Sequence, residues 1–266
     1  MKEESLKSTK LNLGKSKSFL NFIFIFIIFI EFYHRNSYIS CKISRFMTYK
    51  LSPSSLSLFK DCPRCFWLHQ NNEHKRPTGI FPSLPSGMDK ILKEHFDSFM
   101  EKGKLPPELK NDSICKNMKL FENKDILEEW RNNFRGIRYE DSDGNLLRGA
   151  VDNILVNGDK LVVLDYKTRG YPLKEDTPNY YQNQLNIYTF LLRENGYKTE
   201  NYGLLLFYHP NKVLETGEVL FNTDMVKMKV DPSEGKKLFT DALKFLKDDC
   251  PKKHEQDDCN WCKLVE

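Results

Sequence analysis

Four consecutive aliphatic residues, Leu161-Val162-Val163-Leu164, run straight into Asp165-Tyr166-Lys167. A continuous apolar run bounded by turn residues is the pattern of a strand buried on both faces. Charges at the end of such a strand need partners, because an unpaired buried ion is strongly unfavourable. Residues two apart on a strand share a face, so Asp165 and Lys167 point the same way. Upstream, Leu146–Val156 reads as a strand carrying Asp152 after Gly149-Ala150-Val151, and the turn Asn157-Gly158-Asp159 leads back into the aliphatic run. Pairing the two as a hairpin brings Asp152 near Asp165. Two carboxylates and an ammonium then converge at one end of a sheet.

The remaining pattern sets the architecture. Ser52-Pro53-Ser54-Ser55 caps a short helix start that carries Leu56, Leu58 and Phe59. Pro77–Pro85 reads as a loop, and Met88–Met100 as a helix on the spacing of Ile91, Leu92, Phe96 and Phe99. Lys102–Asn117 is a polar connector. Phe134–Tyr139 is strand-like and meets Leu146–Val156 across the turn Asp141–Asn145. A helix is expected over Pro178–Asn195, ending at Gly196, then strands over Tyr202–Tyr208 and Gly217–Lys229, and a last helix over Ser233–Asp248 opened by Pro232. Helices, a three-strand meander, a helix, two strands and a helix make an α/β layered domain, without the regular alternation of a Rossmann fold or TIM barrel.

Clustered carboxylates are hard oxygen ligands suited to Mg²⁺ or Mn²⁺. An ion there polarises a phosphoryl oxygen and lowers the pKa of an attacking water, and Lys167 can stabilise the developing charge. A structural Asp–Lys pair closing a strand is the plainer alternative. On the following helix Gln184 and Tyr188 stand four apart on one face, with Tyr181 close to the same stripe. Half-buried core aromatics are the plainer reading of those tyrosines.

Taken together, Gly149-Ala150-Val151-Asp152, Val163-Leu164-Asp165-Tyr166-Lys167-Thr168 and Gln184-Leu185-Asn186-Ile187-Tyr188 resemble the motifs of the PD-(D/E)XK nuclease superfamily, in its RecB-like exonuclease branch. Ser54, Phe59, Cys62 and Pro63 are similar to the N-terminal signature of that branch, and the likeness spans roughly residues 51–266. It implies a restriction-endonuclease-like core, a central mixed β-sheet flanked by helices. It also implies a Mg²⁺- or Mn²⁺-dependent deoxyribonuclease with Asp152 and Asp165 as metal ligands and Lys167 as catalytic lysine. Gln184 and Tyr188 would position the scissile phosphate or the DNA strand. Relatives carry a His or Glu ligand on the helix after a glycine such as Gly87. Four residues on, this chain has Ile91, so Glu94 and His95 are the nearest candidates.

Six of the seven cysteines follow Met47, and Cys-x-x-Cys occurs at 62/65 and at 259/262. Two such pairs suit a tetrahedral zinc site, with His254 nearby. The resemblance implies instead an iron–sulfur cluster held by one early and three late cysteines, here Cys62, Cys250, Cys259 and Cys262. The late spacing departs from the usual order, and Cys65 is then spare or a substitute ligand. Either metal joins the N- and C-terminal parts as a Cys-rich staple. Cys115 stands alone.

Net charge decides little. The chain carries +4, but eight basic and three acidic residues fall in 1–46, which leaves 33 basic against 34 acidic in 47–266, a net of −1. A DNA-binding footprint must therefore be local. Lys75, Arg76, Arg169, Trp67, Phe81 and Tyr171 are candidates for gripping a backbone and stacking on single-stranded ends. Ahead of Met47, the apolar run Phe19–Tyr33 is short for a membrane span and lacks a small-x-small cleavage site. We read residues 1–46 as an extension ahead of a nuclease domain at 47–266, with Met47 as the initiator, and a signal or anchor as the alternative. A cytoplasmic protein without membrane contact follows from that reading.

Overall fold

The structure is a computed structural model that describes residues 47–252, apart from 72, 78 and 80, together with residues 259–261. The segment Phe19–Tyr33, His254 and Cys262 lie outside the described residues. Contacts group the described residues from Thr48 onward into one compact unit.

Ser52 opens helix α1 (Pro53–Asp61) through a reciprocal capping box. The Ser55 amide donates to Ser52 Oγ at 3.3 Å, and the Ser52 amide donates to Ser55 Oγ at 2.8 Å. Cys62 ends that helix and caps the next, α2 (Pro63–Gln70), where its sulfur accepts from the Cys65 amide at 3.4 Å. Helix α3 (Ser83–Met100) starts earlier than the expected Met88, because Pro85 falls in its first turn, where a missing N–H breaks no helical bond. The polar connector holds one helical turn, α4 (Pro107–Lys110), and helix α5 (Lys124–Arg131) follows, capped by Asn123.

The expected three-strand meander is divided between two sheets. Strand β1 (Lys50–Leu51), β4 (Leu146–Gly149) and β3 (Ile137–Glu140) form one, in the order β1-β4-β3. The other has the order β2-β5-β6-β7-β8, with β2 (Lys119–Leu120), β5 (Asn153–Asn157), β6 (Lys160–Thr168), β7 (Tyr202–Val213) and β8 (Val219–Lys229). Leu146–Val156 is therefore two strands, and the chain crosses between sheets at Ala150–Asp152. The expected strand from Phe134 begins only at Ile137, with Phe134 exposed and Gly136 at φ +58°.

Strand β6 is the centre of the larger sheet. It pairs antiparallel with β5 about a two-residue loop, Gly158-Asp159, and parallel with β7 from Leu164↔Leu204 to Thr168↔Tyr208. Parallel neighbours need a crossover. Here a 3₁₀ turn (Thr177–Tyr181) and helix α6 (Gln182–Glu194) supply it, and Gly196 at φ +84° ends the helix. Helix α7 (Pro232–Leu246) is capped by Asp231 and lies along α6. Gly235 permits the approach, since a Cβ there would stand 2.9 Å from the Asn186 carbonyl oxygen. Helix α3 covers the opposite face of β6 through the Phe96–Tyr166 ring contact, centroids 4.6 Å apart. The result is the mixed sheet between helices that the family resemblance implies.

The two ends of this unit are fastened together. Trp67 Nε1 donates to the Asp248 carbonyl at 2.9 Å, and Tyr49 Oη donates to the Leu246 carbonyl at 3.3 Å. Phe245 packs between Phe59 and Phe66. No helix among the described residues is long and apolar enough to cross a membrane.

Candidate active site and thiol cluster

The β5–β6 register pairs Asn153 with Leu164, so the next position outward sets Asp152 beside Asp165. Asp152 belongs to neither sheet's ladder. Its Oδ2 accepts from the Tyr166 backbone N–H at 3.0 Å, and its own carbonyl accepts from Arg131 Nε at 2.8 Å. Asp165 is 1% exposed. Its Oδ2 is paired with the Lys167 ammonium, as the strand alternation requires.

Helix α6 presents Gln184 to this pair. Gln184 Nε2 donates to Asp165 Oδ1 at 3.2 Å and to Tyr188 Oη at 2.8 Å. Because the Tyr188 oxygen accepts from Gln184, its own proton is free to be donated elsewhere. The Tyr188 ring lies on Gly149, where a Cβ would be 2.7 Å from ring carbons. That close approach is the physical reason for glycine before Asp152. Lys167 Nζ stands 4.7 Å from the centre of the Tyr181 ring.

Burial, and then the charge of Asp152, push the Asp165 carboxyl up to about 7 against the attraction of Lys167. Burial alone would lower the Lys167 pKa, but Asp165 and Asp152 outweigh it and the net shift is upward. Burial, reinforced by Asp165, raises the Tyr188 phenol far above its ordinary value, so it stays protonated at neutral pH. A cavity of about 610 Å³ opens beside these groups, lined by Ser52, Ser54, Arg148, Tyr180, Tyr181, Gln184 and Tyr188 among others.

The donor set fits a hard divalent cation. A buried and a half-buried carboxylate side by side disfavour each other's charge, and Mg²⁺ is commonly held by one or two carboxylates with water and phosphate completing its shell. Neither helix-borne candidate joins them. Glu94 is exposed and within 3.9 Å of Lys90, while His95 pairs with Glu108 at 3.1 Å. The group that α3 does bring to Asp152 is Lys93, with Nζ 3.3 Å from Oδ1 and 2.8 Å from Asp89 Oδ2. Sequence reasoning missed both residues, although Asp89, Lys93 and Asp97 stand at four-residue spacing.

A second cluster gathers Cys62, Cys65 and Cys259, whose sulfurs all lie within 4.8 Å of one another. Cys65 Sγ and Cys259 Sγ are 3.6 Å apart. Soft thiolates converging in this way could bind a metal and tie the N-terminal helices to the chain's far end. Cys65 thus takes part, whereas Cys250 lies outside that group, 3.7 Å from Arg64 Nη1. Cys115 is buried apart from it, and burial pushes its thiol up to about 11. Arg76 is turned to the cluster, with Nη2 3.3 Å from Cys259 Sγ and Nη1 2.7 Å from Asp61. Trp67 is half-buried and engaged with Asp248, and Arg76 is half-buried against the cluster, so both hold contacts within the fold. Lys75, Phe81 and Tyr171 are exposed, and Arg169 Nε donates to the Tyr171 carbonyl at 3.4 Å.

A pair of carboxylates, a lysine on the same strand as one of them and a Gln–Tyr helix face thus come together beside an open groove. The family model of the PD-(D/E)XK nuclease superfamily matches residues 50–266, and the chain belongs to that superfamily. The superfamily generally comprises nucleases, which usually use Mg²⁺ or Mn²⁺. Comparison with curated proteins gives no match. Among solved structures, the chain is similar to the crystal structure of SSO0001 at 12% identity and a TM-score of 0.38, covering 74% of this chain and 77% of that one.

Proposed function

We propose that the chain is a Mg²⁺- or Mn²⁺-dependent deoxyribonuclease of the RecB-like kind, acting as an exonuclease on single-stranded DNA ends in repair, recombination or defence. The observation that supports it best is the Gln184 side chain, which ties Asp165 to Tyr188 and lines the groove. Asp152 and Asp165 would hold the divalent ion, which when bound polarises the scissile phosphate and acidifies an attacking water. Lys167 keeps a positive charge beside them and stabilises charge that grows on the phosphate oxygens. Gln184 fixes the Asp165 carboxylate. The protonated Tyr188 hydroxyl donates into the groove, where a non-bridging phosphate oxygen can accept. Tyr180, 76% exposed, offers a stacking face for a base, and Arg148 offers a cation for the backbone.

The thiol cluster is best understood as a structural metal centre. Two sulfurs bound to one tetrahedral zinc at about 2.3 Å each stand about 3.8 Å apart, close to the Cys65–Cys259 spacing. That supports zinc, with an iron–sulfur cluster as the other outcome of metal analysis and visible absorption.

The test is hydrolysis of end-labelled single- and double-stranded DNA by anaerobically purified protein with Mg²⁺ or Mn²⁺, beside Asp165→Ala and Lys167→Ala. Cleavage that requires all three, and is stopped by EDTA, supports the reading. A second reading, a DNA-binding module without turnover, is favoured by one observation: each carboxylate already carries an ammonium, Lys167 on Asp165 and Lys93 on Asp152. A folded protein that binds the labelled strand and never cuts it would establish that reading instead.

A further inference from the structure

Asp89, Lys93 and Asp97 share one face of α3. Asp97 is committed to Arg131, which holds both its oxygens at 2.8–2.9 Å. Lys93 is one turn nearer the site, and its side chain is 22% exposed, so it is held between Asp89 and Asp152 in a partly dry position. An ordinary four-apart helix pair accounts for Asp89. It does not account for the reach to Asp152, one of the two carboxylates that would hold the ion. One Asp152 oxygen is fixed by the Tyr166 N–H, and the other faces the Lys93 ammonium. Cation uptake at Asp152 therefore competes with Lys93.

The charges support a defined consequence. Asp89, Asp152 and Asp165 against Lys93 and Lys167 sum to −1 when all are ionised. A divalent ion alone turns this to +1, and one phosphodiester returns it to zero. Without Lys93 the divalent ion alone reaches neutrality. We propose that Lys93 is a built-in counter-ion that makes divalent-ion binding conditional on nucleic acid. It neutralises Asp152 in the free protein, and shifts toward Asp89 and the substrate phosphate when ion and DNA arrive together. The inference rests on the metal-dependent nuclease reading, and it makes Lys93 a positioning residue rather than a catalytic one.

The experiment is Mn²⁺ titration by calorimetry of the full chain, with and without a phosphorothioate single strand. Wild type is compared with Lys93→Met, Lys93→Arg, Asp89→Asn, Asp152→Asn and the exposed control Lys90→Met, all first checked by thermal melting. Lys93→Met is expected to bind Mn²⁺ about tenfold tighter than wild type without DNA, and to gain less from adding DNA. Lys93→Arg should behave as wild type, and Asp89→Asn should bind more weakly because Lys93 then rests on Asp152 alone. Lys90→Met removes the same charge three residues away and should change little. If Lys93→Met leaves Mn²⁺ affinity and its coupling to DNA unchanged while Asp152→Asn abolishes binding, the inference fails and the metal site stands. The inference fails in the same way if Lys90→Met tightens binding as much as Lys93→Met does. If Asp152→Asn has no effect, the metal-site reading fails and takes the inference with it. Asp89→Asn, at a half-exposed position, keeps the question decidable should Lys93→Met not fold.

Discussion

Asp165→Asn should stabilise the metal-free protein, and the gain should grow with pH. The carboxyl titrates near 7 in the folded chain against 3.8 for its ordinary value, with burial the main cause and Asp152 the second. Between those two pH values the folded state holds a proton that the unfolded state has released, so stability falls as pH rises from about 4 to about 7. Lys167, raised from 10.5, stays charged across this window and adds no slope. Fully expressed at pH 8, the Asp165 penalty is on the order of 4 kcal/mol. Both carboxylate oxygens face donors, Gln184 and Lys167, so the amide nitrogen of the variant points at one of them, which returns part of that gain. A net stabilisation of about 1–2 kcal/mol at pH 8 remains, or about 3–6 °C in Tm for a domain of this size. At pH 5 the unfolded carboxyl has already ionised and about a third of the penalty is present, so the variant's margin should be about 2–3 kcal/mol smaller there than at pH 8. The assay is thermal unfolding in EDTA at pH 5, 6, 7 and 8, repeated with Mg²⁺. Added Mg²⁺ at pH 8 should raise the Tm of the wild type and leave the variant unmoved. A variant less stable than wild type at pH 8, by a margin wider than at pH 5, would refute the argument that burial and Asp152 dominate the Lys167 attraction.

Three further outcomes are expected. Gly149→Ala places a methyl 2.7 Å from the Tyr188 ring and 2.9 Å from a Leu191 methyl. Overpacking of that kind costs about 1–3 kcal/mol, measured by urea unfolding, and cleavage should fall with it because the ring carries the Gln184 partner; unchanged stability would mean that the ring does not rest on the strand. Tyr188→Phe keeps the ring and removes only the hydroxyl, so kcat should drop by about 100-fold with little change in Tm, whereas equal loss in both points to a structural role. Cys65→Ser or Cys259→Ser should lose the bound metal on elemental analysis and lower the Tm, and a strong chelator should do the same to the wild type but not to the variants.

The carboxylate pair was legible from sequence because a two-residue hairpin loop leaves one register, and the strand period then fixes which side chains share a face. Gln184 and Tyr188 were legible for the equivalent helical reason. The division of Leu146–Val156 was not. Gly149 and Ala150 contribute almost no side chain, so nothing local marks a break. Its most visible partner, the Tyr188 ring, lies nearly forty residues away in sequence. On α3, Glu94 and His95 are candidates only by their distance along the chain from Gly87, and that distance does not fix a helix face. The apolar stripe is Leu92, Phe96 and Met100, with Ile91 54% exposed, and Lys93 is the residue that reaches Asp152. Among the cysteines, the helix cap decides. Cys62 at the cap and Cys65 three residues on put two thiols at one helix end, which favours Cys65 in the cluster whatever the late spacing.

The chemistry sits where it does because the chain changes sheets there. A strand that leaves one ladder and enters another has backbone groups with no ladder partner, and buried ones must find side chains. Arg131 takes the Asp152 carbonyl, and the Asp152 carboxylate takes the Tyr166 N–H that the shortened β5 leaves open. The crossing thus needs a charged acceptor next to the central strand for folding alone. It places that acceptor against Asp165, whose own burial is already unfavourable. Folding leaves two carboxylates side by side with only ammonium groups to compensate them, and a divalent cation relieves that conflict better than either lysine. On the proposed metal site, metal affinity and fold instability therefore have one origin, so variants that relieve the instability should lose the metal.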